Sequence, residues 1–79
     1  MCWVYVLRSE KDGNYYIGST REIEKRIRSH RAGRVRSTKR RRPLRLIYTE
    51  KYESITEARK RENFLKSGQG RKWLKENII

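Results

Sequence analysis

The sequence holds one cysteine, Cys2, and one histidine, His30. A lone thiol excludes an internal disulfide, and one thiol with one imidazole falls short of a zinc ligand set. A reducing, cytoplasmic setting is therefore expected. Long apolar runs are also missing: no stretch reaches the roughly 18 residues a membrane-spanning helix needs. The apolar start, Met1 to Leu7, has no basic region before it and no small-residue cleavage site after it, so it does not read as a signal peptide. Length is scarce too. With 79 residues the expectation is one domain over 1–79, with a small core and marginal stability.

Acidic residues are few as well. Against 22 lysines and arginines stand 9 aspartates and glutamates, leaving a net charge of +13. Such an excess repels itself unless a polyanion neutralises it, and nucleic acid is the commonest one that fits. A thermophilic surface would carry charge of both signs in balance, which this chain does not. A membrane surface would call for a helix with an aromatic, leucine-rich face, and none is found. A non-catalytic RNA binder of the ribosomal kind remains equally basic.

Residues 2–7 alternate, with Trp3, Tyr5 and Leu7 on one side and Cys2, Val4 and Val6 on the other. Both sets are apolar β-formers, which predicts a central strand buried on both faces. Lys11-Asp12-Gly13-Asn14 reads as a hairpin turn and Tyr15-Tyr16-Ile17-Gly18 as the returning strand. Ser19 with Glu22 three residues on fits a capping box, predicting a helix from Thr20 to Arg31 stopped by Gly33. Residues 34–43 read as an exposed, mobile basic loop, followed by a third strand from Leu44 to Thr49. A second capping box, Ser54 with Glu57, opens a helix to about Ser67 with Gly68 as its stop, and a short helix from Arg71 to about Asn77 docks Trp73, Leu74 and Ile78. The fold class expected is α+β, a three-stranded and mostly antiparallel sheet flanked by helices.

Some residues do not follow from local rules. Ile55, Ala58 and Leu65 share a helix face, and Glu62 falls in the middle of that stripe. A carboxylate there is costly unless paired. A salt bridge, a position at the stripe edge, and a metal or catalytic role all account for it. Arg26 and His30 stack four apart beside Ile23 and Ile27, at the sheet–helix boundary. Tyr5 and Tyr16 stand on adjacent strands, and Gly18 admits close approach of a ligand or another chain segment. Singly each has a structural explanation. Together two phenols, an arginine, a histidine and a carboxylate supply what phosphodiester hydrolysis needs: a base, a cation for developing charge, and a ligand for a divalent metal.

Trp3-Val4-Tyr5, ten residues, then Tyr16-Ile17-Gly18 resembles the motif of the GIY-YIG nucleases, with the first element degenerate and its tyrosine kept. The resemblance continues through Arg26 and His30 to Glu57-Ala58-Arg59-Lys60-Arg61-Glu62-Asn63 and covers nearly the whole chain. It most resembles the small stand-alone members. The resemblance implies DNA cleavage with one divalent ion, magnesium or manganese, held by Glu62. Tyr5 would serve as general base or orient the attacking water, its pKa lowered by Arg26 and a metal. Tyr16 would bond the scissile phosphate or a metal-bound water, Arg26 would clamp the phosphate, and His30 would relay a proton.

The expected function is thus a metal-dependent DNA endonuclease acting on duplex or branched DNA in repair or recombination. No appended targeting domain is seen, so backbone or shape recognition with weak sequence preference is expected. The grip would come from Arg34, Arg36, Lys39, Arg40, Arg41 and Arg42 in the loop and Arg71 and Lys72 near the end. A monomer or weak dimer is expected, with no membrane partner and an activating protein partner left open. The alternative is a non-catalytic DNA- or RNA-binding module on the same scaffold. A structural interaction domain has only an exposed Cys2 and Ile78-Ile79 in its favour.

Overall fold

The computed structural model describes residues 1–79. Its elements run β1 (Cys2–Ser9), β2 (Tyr15–Thr20), α1 (Ile23–Arg31), a single 3-10 turn (Lys39–Arg41), β3 (Leu44–Tyr52), α2 (Ile55–Lys66) and α3 (Gly68–Asn77). The strands form one antiparallel sheet in the order β2-β1-β3, so β1 is central and both neighbours are edges. The architecture is the expected α+β sheet with flanking helices.

The alternation in β1 sorts the core into two layers. Cys2, Val4 and Val6 pack with Ile17, Ala58, Leu65 and Leu74 beneath α2 and α3. Tyr5 and Leu7 pack with Ile27 and Leu44 beneath α1. Val4, Tyr5 and Val6 are wholly buried, and each such side chain contributes about 1.5–3 kcal/mol of hydrophobic stabilisation. The central strand is therefore where a small core concentrates its burial. Cys2 belongs to this core at 6 % exposure, which corrects the expectation of an exposed thiol.

The β1–β2 turn forms where Asp-Gly demanded it. Gly13 adopts φ +74, and the Asp12 carboxylate accepts the Asn14 amide at 2.8 Å. Ser54 caps α2 as read, its hydroxyl accepting the Glu57 amide at 3.2 Å. The first capping box does not form. Ser19 remains in β2, paired with Val4, and its hydroxyl donates to Glu62 instead. The ladder and a carboxylate outcompete a local cap, so α1 starts later, at Ile23. Gly68 likewise does not end the helical region; Ser67 caps α3, accepting the Gly70 amide at 3.2 Å, and α3 begins at Gly68.

Residues 34–43 are not the free loop expected. Val35 and Thr38 are buried, and the 3-10 turn follows directly. The Ser9 hydroxyl donates to the Arg41 carbonyl at 2.6 Å, and the Glu10 amide donates to the Pro43 carbonyl at 2.9 Å. The buried side chains of Val35 and Thr38 suffice to anchor an otherwise mostly basic segment, while Arg34, Arg36, Lys39 and Arg40 stay exposed.

On the α2 side of β3, Glu50 gathers four donors. Arg61 donates from Nε at 2.9 Å and from its terminal amine at 3.1 Å, and the Tyr48 and Tyr52 hydroxyls complete the set. Burial would raise the Glu50 pKa, but these hydrogen bonds outweigh it and hold the carboxyl below its ordinary range. The Arg61 guanidinium also lies over the rings of Phe64 and Trp73, tying β3, α2 and α3 together.

Candidate active site

Four of the five residues singled out for chemistry meet on the α1 face. Tyr5 projects from the buried strand, and its hydroxyl lies 2.9 Å from His30 Nε2. Arg26 Nε donates to the same oxygen at 3.2 Å. Tyr16 closes the group, its ring 5.1 Å from the His30 ring and 6.3 Å from that of Tyr5. The i,i+4 spacing on α1 brings Arg26 and His30 onto one face, as read from the sequence. His30 itself is fully buried, and its Nδ1 lies 2.8 Å from the Thr38 hydroxyl.

Glu62 comes from the other side of the sheet. Ile17 faces α2, and Ser19, two residues on, shares that face. Its hydroxyl donates to Glu62 Oε1 at 2.5 Å. The carboxylate thus reaches the sheet at edge strand β2, opposite the phenols. The two groups of side chains flank one strand, and the charge of Glu62 is still felt at the Tyr5 phenol.

Electrostatics distinguish the two central groups. Burial raises the Tyr5 phenol above its ordinary value, against the hydrogen bond and charge of Arg26. This corrects the expectation of a lowered phenol: desolvation of a wholly buried ring outweighs one half-exposed cation. Burial, followed by the charge of Arg26, pushes the His30 imidazole down to about 4. The resting pair is a neutral phenol against a neutral imidazole. Arg26 is held charged by its bond to Tyr5.

No three histidine, cysteine, aspartate or glutamate side chains converge into a metal cage. A divalent ion would have Glu62 as its protein carboxylate and complete its shell from water and substrate, as magnesium commonly does. The Glu62 carboxylate fits that role. Its side chain is 17 % exposed, and Oε2 already accepts a cation, the Lys66 ammonium at 2.6 Å on a more exposed side chain. An oxygen that holds one positive charge at the surface is suited to exchange it for another.

The basic residues divide by how they are held. Arg41 is tied down, 3.4 Å from Asp12 and 3.4 Å from the Tyr15 carbonyl. Arg42 folds back on the carbonyls of Lys39 and Arg31. Lys72 stands exposed on α3. Arg41 and Arg71 line one groove of about 710 Å³ with Tyr15 and Lys75, beside the start of β2. Sequence reasoning missed Thr38, Ser19 and Lys75 as members of these constellations. For Ser19 the polar residue at a strand end was visible but was read as a cap. Thr38 carried no signal amid a basic run.

Tyrosines on adjacent strands β1 and β2 and a glutamate borne by α2 accompany a match to the GIY-YIG catalytic domain over residues 1–77. The chain belongs to this nuclease family. Among its relatives, UPF0213 protein SSP2268 of Staphylococcus saprophyticus is 40 % identical over 74 residues, covering 92 % of this chain and 89 % of that one. UPF0213 protein SH2523 of Staphylococcus haemolyticus is 39 % identical over the same coverage. The NMR structure of UPF0213 protein BH0048 from Bacillus halodurans superposes with a TM-score of 0.58 at 32 % identity, spanning 96 % of this chain and 84 % of that one. The chain is thus similar to small proteins built around this one domain. No helix is long and apolar enough to cross a membrane.

Proposed function

We propose that this protein is a metal-dependent endonuclease that hydrolyses phosphodiester bonds in DNA, directed by backbone shape more than by sequence. The observation that carries the reading is the bonded trio of Tyr5, His30 and Arg26 on one face of the sheet, with Glu62 bonded to edge strand β2 on the other. A +13 surface supplies non-specific affinity for the backbone.

The residues divide the work as follows. Arg26 pairs with the scissile phosphate and stabilises charge that develops on its oxygens. The attacking water gives its proton to the Tyr5 oxygen as the Tyr5 proton passes to His30 Nε2, so that imidazole becomes imidazolium. At rest this transfer is uphill, because burial favours both neutral forms. A phosphate on Arg26 removes part of the field that depresses His30, so substrate itself makes the imidazole a better acceptor. Tyr16 bonds the phosphate at the rim. Glu62 would hold a magnesium or manganese ion, which supplies Lewis-acid stabilisation of the phosphoryl oxygens when bound.

One observation favours the alternative of a non-catalytic DNA- or RNA-binding module. Glu62 is already paired with Lys66, which explains its place on an apolar stripe without a metal. Purified protein incubated with labelled duplex, single-stranded and branched DNA in magnesium or manganese separates the two. Cleavage that disappears in Glu62→Gln, with DNA affinity equal or higher, supports the nuclease. A preference for branched substrate supports a role in repair or recombination. Binding without cleavage by wild type on every substrate supports the binding module, or a nuclease that needs an activating partner, which cell extract added to the same assay would reveal.

A further inference from the structure

We infer that Thr38 is a positioning residue that fixes the tautomer of His30, leaving Nε2 bare to face the Tyr5 phenol. The reasoning starts from the fixed donor in the cluster. Arg26 Nε has no acceptor capacity, so at the Tyr5 oxygen it can only donate. Tyr5 is wholly buried, and its own O–H proton needs an acceptor. His30 Nε2, at 2.9 Å, is the partner in reach. Nε2 must then be unprotonated, which in a neutral imidazole places the hydrogen on Nδ1.

Nδ1–H points at the Thr38 hydroxyl, 2.8 Å away, in a position with no exposure to water. The reverse arrangement has Thr38 donating to Nδ1 and Nε2–H donating to Tyr5. It leaves a buried phenol oxygen facing two donors with its proton unplaced. A threonine hydroxyl turns about its C–O bond to find an acceptor, whereas a phenol O–H is confined near the plane of its ring. The first arrangement therefore gives the buried phenol proton its acceptor, and in it the Thr38 hydroxyl receives the Nδ1 hydrogen. The Thr38 main chain is itself held, donating to the Val35 carbonyl at 3.1 Å and accepting from the Arg41 amide at 2.9 Å.

The segment that carries the basic side chains is thus wired to the proton acceptor. Lys39, Arg40 and Arg41 follow Thr38 without a break, in the 3-10 turn. The catalytic consequence rests on the nuclease reading above; the tautomer does not.

His30 is the only histidine, so long-range proton–nitrogen NMR of the imidazole reports on it without ambiguity. Spectra near neutral pH of wild type, Thr38→Val and Thr38→Ser are compared with DNA cleavage by the same proteins. Wild type should carry its hydrogen on Nδ1. Thr38→Val, which keeps the volume and loses the hydroxyl, should shift the hydrogen toward Nε2 and lower kcat roughly 10- to 100-fold with KM little changed. Thr38→Ser should restore both. A wild-type imidazole protonated on Nε2 overturns the inference, as does a folded Thr38→Val protein with unchanged tautomer and kcat. Should Thr38→Val fail to fold, Thr38→Ala supplies the hydroxyl-free spectrum that decides against wild type and Thr38→Ser. Should no protein cut DNA, the spectra decide the role of Thr38 while the nuclease reading falls separately.

Discussion

Tyr5 stands directly across from Gly18 in the β1–β2 ladder, and its phenol occupies the space a side chain at Gly18 would need. A Cβ there would come within 2.5 Å of the Tyr5 hydroxyl and 2.6 Å of the ring carbon bearing it. The glycine of the second motif element is therefore a condition for the Tyr5–His30 bond. Its role is space and not backbone conformation, since its φ is not positive.

Gly18→Ala should destabilise the protein by about 1–3 kcal/mol, the usual result of overpacking a filled site. It should also displace the phenol and reduce cleavage. Urea denaturation checks the first effect. Gly68→Ala is the control, since nothing lies within 4 Å of a Cβ at that position.

Stability should fall as pH drops through the range from 6.5 to about 4. The unfolded chain protonates its histidine near 6.5, whereas burial and then Arg26 hold the native imidazole neutral down to about 4. The unfolded state binds more protons throughout that window, so stability rises with pH there and the His30 contribution is complete above 6.5. The full effect is on the order of 3 kcal/mol. Denaturant midpoints across the window check this in wild type and in His30→Asn, which should lose the histidine part of the slope.

Arg40→Ala and Arg41→Ala should behave alike toward DNA and differently toward folding. Each should flatten the dependence of log affinity on log salt by about 0.9 if it neutralises one phosphate. Arg40 is exposed on the 3-10 turn, and its loss should leave stability within about 0.5 kcal/mol. Arg41 bonds Asp12 and the Tyr15 carbonyl, so its loss should also loosen the hairpin. Salt titrations of binding and thermal melts distinguish the two.

Glu50→Leu should cost roughly 3–5 kcal/mol, because it leaves the Arg61 guanidinium and two phenols unpaired in a half-buried position. Affinity for DNA should change little, since the cluster lies on β3 and not on β2. A large stability loss with an unchanged salt slope bears this out, and a coupled loss of both contradicts it.

How far the sequence could be read depended on the range of the interaction that decided each residue. The two-sided alternation of β1 and the Ser54 cap rest on neighbours a few residues apart, and both were legible. Ser19 was misread because a partner 43 positions away competes with a cap three positions away. The i,i+4 relation of Arg26 and His30 was local and held, while Thr38 was silent, since a loop threonine acquires meaning only when a buried ring comes within 2.8 Å of it. The raised pKa of Tyr5 has a related cause: the charge of Arg26 is plain from its residue type, whereas complete burial of the phenol is set by elements packed from across the chain.

The order β2-β1-β3 leaves two strand edges uncapped by further strands. In the free protein, like charges at +13 hold copies apart and so guard those edges against one another. A polyanion that satisfies the basic surface cancels the same repulsion. Molecules crowded onto a long nucleic acid then meet with their colloidal protection removed. Solubility and target binding draw on one reserve of charge, and concentrated mixtures near charge balance are where the protein would condense.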